Sequence, residues 1–413
     1  MKSKYTILLL LTLLPVFASA LIAPAFFAPI RVPLYLVAVV VALIMMTKQT
    51  YRFITFPAGY SAIFFVVLLT SAALNSALDS PVVYRQFLYH VSLFFCIYIG
   101  YLAFRSAVKW GVDYPYLLSV MFILLFGYGI YTYYAQVYEM FEFLWFLRPS
   151  PSLKFIDAEQ IFAQNFHGAL NRYRAYSVWY EPSFASLALA CALPLLFLCK
   201  KRNVSMLFLF LSGVFGLLTY SRSAWLVYFV FVIIYFWSIT RIRLPVWLLG
   251  LLLIAMIPLS LFAGFLSVAG EPDVSALVRF YNSVQAIVEL NSSDWAIVIG
   301  LGSPDLIAPP MFDSTASAYI TNAFIAMLHW LGIVGLVFLI APFMLLLNKV
   351  RYCEDSVYWA VLCFVFLIFV SLNLGGNFIG LSLLWFFVGV YYAMAERAEF
   401  VRKADSFLQR SVS

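Results

Sequence analysis

Apolar runs of about twenty residues, the length that crosses a bilayer as a helix, recur along this chain and are separated by short polar stretches. They predict membrane helices near 5–22, 33–47, 56–74, 86–104, 115–135, 183–199, 204–220, 223–240, 244–266, 321–347, 355–373 and 377–395, about twelve in all. The connections are short except for 136–182 and 267–320, and long loops in compact proteins are usually functional or disordered. Neither reads as disordered. The first carries the apolar cluster Phe143-Leu-Trp-Phe146. In the second, Leu277, Val278, Tyr281, Val284 and Val288 recur at helical spacing, with Arg279, Asn282, Ser283 and Glu289 largely on the other side. This pattern predicts an interfacial helix whose polar face turns toward a cavity.

Composition fixes the class. Of 413 residues, 65% are hydrophobic and only 10% charged, against roughly a quarter charged in a soluble domain. The formal net charge of +7 does not indicate nucleic acid, because the basic residues fall in clusters between apolar runs. Placing Lys2 and Lys4 in the cytoplasm brings Lys48, Arg52, Arg105, Lys109, Lys200, Lys201, Arg202, Arg241, Arg243, Lys349, Arg351, Arg397, Arg402, Lys403 and Arg410 to the same side. Seventeen of the 25 Lys and Arg are then inside, as the positive-inside rule expects. The expected architecture is all-α, a polytopic integral membrane bundle. One membrane domain covers 1–413, with helices in 1–135, a first large loop over 136–182, helices in 183–266, a second large loop over 267–320, helices in 321–395 and a cytoplasmic tail over 396–413. The first run also resembles a secretory signal ending at Ala18-Ser19-Ala20; we read it as a retained helix.

Cys96, Cys191, Cys199, Cys353 and Cys363 lie in or beside the apolar runs, which indicates no disulfide framework. His90, His167 and His329 are scattered without zinc-ligand spacing. No metal or cofactor is expected, and no internal repeat is visible.

What remains is a group of charges on the outer side. An ionised residue at membrane depth costs a few kcal/mol or more unless it is paired or faces water, so Arg174 and Glu181, beside an apolar helix in Arg174-Ala-Tyr-Ser-Val-Trp-Tyr-Glu181-Pro-Ser-Phe, mark a candidate polar site. Arg172, Arg174, Arg222 and Arg279 each lie at or near a helix end. Guanidinium groups match phosphate oxygens bidentately and keep their charge when partly dehydrated, so the four suit an anionic lipid headgroup or a departing diphosphate. Plainer roles stand beside this one: Arg172 and Arg174 as snorkelling anchors, Arg222 in a simple turn, Arg279 in an ion pair with one of its loop's six acids. Glu181 precedes Pro182 and is either a general base or a carboxylate complementing a helix N-terminus. Asn322 and His329, seven positions and about two turns apart, can face one cavity, or His329 can be a packing residue. Trp179, Tyr180 and Tyr281 are placed to stack on sugar rings; for the first two an interfacial aromatic belt explains them equally well.

Taken in order, Arg174-x-x-Ser-x-x-Tyr-Glu181-Pro-Ser-Phe-Ala, Thr219-Tyr-Ser-Arg222-Ser-Ala, Arg279 followed by Gly300-Leu-Gly302-Ser, and Asn322-x-Phe-x-x-x-Leu-x-x-x-Gly332-Ile-Val-Gly335 resemble the O-antigen polymerase and ligase superfamily of bacterial inner membranes. The motifs span 172–335, and the first five helices resemble it only in hydropathy. The resemblance implies a metal-independent glycosyltransferase of the GT-C type with both termini cytoplasmic and two large periplasmic loops around the site. It implies an undecaprenyl-diphosphate-linked oligosaccharide as donor and acceptor, and a chain-length regulator as partner. Arg172, Arg174, Arg222 and Arg279 would hold the diphosphate, Glu181 or His329 would take the acceptor proton, and Tyr180, Tyr281 and Asn322 would contact sugar. Glu181-Pro-Ser favours the polymerase branch. Thr321 stands before Asn322 where relatives often have histidine, which leaves the base open. A ligase acting on lipid A core, and a flippase for lipid-linked oligosaccharide, are the competing readings.

Overall fold

The structure is a computed structural model that describes residues 2–13, 66–71, 73–75, 96–138, 166–167, 172–173, 175, 184–256, 274–292, 295–302, 320, 322–351, 353–374 and 382–412. Within these residues the regular structure is helical apart from one pairing of two-residue strands. The helices are α1 (Lys2–Leu11), α2 (96–109), α3 (Tyr114–Val137), α4 (Phe184–Ala192), α5 (Arg202–Leu218), α6 (Arg222–Thr240), α7 (Val246–Met256), α8 (Val274–Glu289), α9 (Ala296–Ile299), α10 (Ala323–Val350), α11 (Asp355–Leu374) and α12 (Ser382–Val412). Strands β1 (Phe166–His167) and β2 (Arg172–Tyr173) pair antiparallel, Phe166 opposite Tyr173.

The chain is an α-helical membrane protein. Among the described residues, Tyr114–Ala135, Arg222–Thr240, Ala323–Val350 and Asp355–Leu374 are long and apolar enough to cross a bilayer. Helix α11 is hydrophobic all round and buried nearly all round, so it forms the centre of the bundle. It packs on α4, α6, α10 and α12, and α3 lies along α5. Helix α6 is the opposite case: Phe229, Ile233, Phe236 and Ile239 are exposed, an apolar flank that suits lipid and not water.

The two ends of the bundle differ in chemistry. At one, Arg243 pairs with Asp355, donates to the carbonyls of Arg351 (3.4 Å) and Cys353 (3.1 Å), and lies over the Tyr358 ring. Lys349 lies 5.0 Å from the Tyr392 ring centre, Lys201 4.1 Å from that of Tyr116, and Arg105 and Tyr101 both reach Glu396. The basic clusters of α2, α5, α6, α10 and α12 therefore share this end. At the other end the ties include Ser186 with Ser371 at 3.0 Å, and Asn322 with Asn373.

Three expected elements are revised. The run at 183–199 is α-helical only to Ala192 and continues as a 3-10 turn over Leu193–Phe197, where Pro194 has no N–H to give an α-helical bond. The run at 321–347 is broken at Gly332. The last helix does not stop at 395 but continues to Val412 through the segment expected as a tail, because Glu396, Arg397, Ala398 and Glu399 are strong helix formers outside any apolar window. The expected helix at 33–47, and most of those at 56–74 and 86–104, lie outside the described residues.

Candidate functional site

The turn between α5 and α6 carries Arg222. Its tightness comes from a run of small polar side chains: Thr219 Oγ1 donates to the Gly216 carbonyl (2.7 Å), the Ser221 N–H donates to Thr219 Oγ1 (3.3 Å), and the Ser221 and Ser223 hydroxyls pair at 2.9 Å, all three residues buried. Trp225 Nε1 closes the turn by donating to the Gly216 carbonyl (3.0 Å). Tyr220 takes a positive φ of 48°, uncommon for a non-glycine residue. Arg222 is the first residue of α6 and is exposed, so its guanidinium leaves from a helix N-terminus whose open N–H groups already favour anions.

A second motif reaches the same place. Ala175, next in sequence to Arg174 and buried, donates its N–H to the Leu218 carbonyl at the end of α5 (2.9 Å), and β2 with Arg172 lies against α3. The residue that follows Arg174 is thus bonded directly to the end of α5, beside the turn that carries Arg222.

The two glycine motifs also meet. Gly332 has φ 65° and ψ −161°, a conformation essentially reserved for glycine. The break frees two carbonyls of α10, and the loop after α9 takes them: Leu301 N–H donates to the His329 carbonyl (2.8 Å) and Gly302 N–H to that of Trp330 (3.0 Å). Ser71 also donates to Trp330 (3.3 Å), and Asn75 to the Gly300 carbonyl (3.1 Å). The approach is so close that a Cβ on Gly332 would strike the Val298 carbonyl, and one on Gly300 that of Trp330. Non-helical backbone inside a membrane protein is tolerated where its polar groups find partners in the protein, and here the residues after α9 supply them.

Asn322 is buried and its amide is committed to structure. Its Oδ1 accepts the N–H groups of Phe324 (3.0 Å) and Ile325 (3.2 Å), capping α10, while Nδ2 donates to the Asn373 side chain and carbonyl. Asn322 is thus the N-cap of α10. Asn322→Ala is expected to cost about 1–2 kcal/mol, read as a lower thermal midpoint in detergent. Asn322→Ser should recover the cap but not the bond to Asn373.

His329 is also not alone. Its Nε2 lies 2.8 Å from Oε2 of Glu289, the last residue of α8, and the imidazole is 0% exposed while the Glu289 side chain is 12% exposed. Gln285 Nε2 donates to the other carboxylate oxygen (3.3 Å). On helix α8, Asn282, Ser283 and Ala286 are buried and Ile287 and Val288 exposed. Arg279 is on this helix, three positions before Asn282; Tyr281 is half-buried and packs edge-on against Phe280 (5.6 Å). The sequence reading placed Glu289 on the polar face without its partner, and it missed Asn373 altogether.

Arg174, Tyr180 and Glu181 lie outside the described residues, and for Arg172 and Arg279 the described feature is the backbone. Among the described residues no three His, Cys, Asp or Glu side chains come together in a group that could hold a metal ion. Compared with known proteins, the chain matches no family model and no curated protein.

Proposed function

We propose that this chain is a polysaccharide polymerase of the O-antigen kind, with about twelve membrane helices and two large periplasmic loops, in a bacterial inner membrane. It would transfer a growing glycan from undecaprenyl diphosphate to the terminal sugar hydroxyl of another lipid-linked repeat unit, with inversion and without a metal. The observation that carries the reading is the bond from Ala175 to Leu218. It ties the Arg172–Arg174 segment to the Arg222 turn, two motifs distant in sequence that the resemblance assigns to one diphosphate site. The positive-inside rule supports the orientation, since the opposite end of the bundle holds the basic clusters.

In this reading the bond between the anomeric carbon and the diphosphate breaks as the acceptor oxygen attacks. Negative charge grows on the leaving oxygen, where Arg172, Arg174, Arg222 and Arg279, with the N-terminus of α6, would stabilise it. Tyr180 and Tyr281 would flank the sugars. The acceptor proton would go to Glu181 or to the His329 pair.

The reading is tested in membranes that contain the protein but no lipid A core acceptor, by sizing the lipid-linked glycan. Chains longer than one repeat unit are expected. Chains that stay at one unit until core is supplied would indicate a ligase, and units that cross the bilayer without bond formation a flippase.

A further inference from the structure

We infer that Glu289 receives the proton of the acceptor hydroxyl, with His329 behind it as the group that holds its carboxylate; this rests on the glycosyl-transfer reading above. The two members of the pair differ in access. His329 is fully enclosed and its Nε2 faces Glu289 at 2.8 Å, whereas the Glu289 side chain keeps 12% of its surface open. Of the two side chains, only that of Glu289 offers surface to a substrate.

The carboxylate is also oriented. Gln285 Nε2 donates to Oε1, and His329 Nε2 lies 2.8 Å from Oε2, to which it donates in the tautomer that carries a proton there. The place of Glu289 in the fold fits the task. Asn282, Ala286 and Glu289 follow helical spacing along one face of α8, α8 packs on α10, and Arg279 belongs to the same helix. One rigid element would then carry both a diphosphate contact and the proton acceptor. The ion pairs Arg243–Asp355 and Arg105–Glu396 offer no equivalent, since they lie at the basic end and are about one third to one half exposed.

The step balances without a co-reactant. The acceptor O–H bond breaks and its proton passes to Glu289. The oxygen uses its electron pair to bond the anomeric carbon, and the carbon–diphosphate bond breaks with its pair left on the diphosphate. Glu289 then loses the proton to water at its open edge.

Two measurements on the purified full chain test this, with lipid-linked repeat units extracted from the producing cells as the probe. In the first, Glu289→Gln is expected to lower kcat by at least about 100-fold with little change in KM, while Glu181→Gln falls by less. Wild-type kcat in Glu289→Gln, or a loss confined to KM, would overturn the inference. The second uses wild-type protein, so it does not depend on a variant folding: the repeat unit should shield Glu289 from carbodiimide coupling, read by peptide mass spectrometry. Equal coupling with and without the unit would overturn it. Polymer formation with a fully active Glu289→Gln would leave the polymerase reading standing and remove this one. Shielding of Glu289 without any polymer would remove the polymerase reading and keep the contact.

Discussion

Gly332→Val is expected to leave little folded protein in the membrane. The residue needs φ 65° and ψ −161°, which costs a non-glycine residue of order 1–3 kcal/mol, and its new Cβ would meet the backbone of Val298 and Ile299. Backbone cannot swing aside as a side chain does, so the substitution must also part the loop after α9 from α10. Separation would leave the His329 and Trp330 carbonyls without the N–H groups of Leu301 and Gly302, inside a bundle where water is scarce. A total of about 3–5 kcal/mol is expected, in the range reserved for such named defects. The measurement is the fraction extracted in detergent as a single species by size exclusion, with its thermal midpoint. Gly127→Ala is the control: a Cβ there meets nothing within 4 Å, and alanine is the better helix former.

Arg222→Lys is expected to reduce polymer synthesis about 100-fold, comparable to the loss of one preorganised donor at a developing anion, while membrane insertion stays normal. The residue is exposed at the first position of α6. Lysine keeps the charge but not the planar pair of donors that grips a diphosphate. Polymer length in the cells and protein level in the membrane separate the two effects. Wild-type polymer length in this variant would remove Arg222 from the diphosphate site.

Hydropathy located several helices closely. The expected spans 115–135, 223–240 and 355–373 correspond to Tyr114–Val137, Arg222–Thr240 and Asp355–Leu374, because each is an unbroken apolar run bounded by polar residues. The break in α10 escaped the same reasoning. Gly332 stands between Leu331 and Ile333 with no turn signal near it, whereas Pro342, the stronger helix breaker by propensity, remains inside the helix. What decides the matter is a loop some thirty positions earlier that fits only against a broken helix, and no local window contains both.

The candidate site was legible to a similar depth. The motif residues Gly300, Gly302 and Gly332 were visible, but their structural purpose is a backbone contact that spacing does not reveal. Asn322 was open to a better reading, since asparagine directly before an apolar helix is a cap signature. Glu289 and His329 are forty positions apart. The amphipathic pattern of α8 placed the carboxylate on the inward face, yet only the packing of α8 on α10 shows which side chain it meets.

The claim that this membrane bundle forms glycosidic bonds is tested most directly with purified protein and a synthetic polyprenyl-diphosphate repeat unit as the sole substrate, the products being sized on a gel. The account predicts a ladder of lipid-linked products that grows by whole repeat units and shortens in Arg222→Lys. A repeat unit recovered unchanged from folded wild-type protein would contradict it.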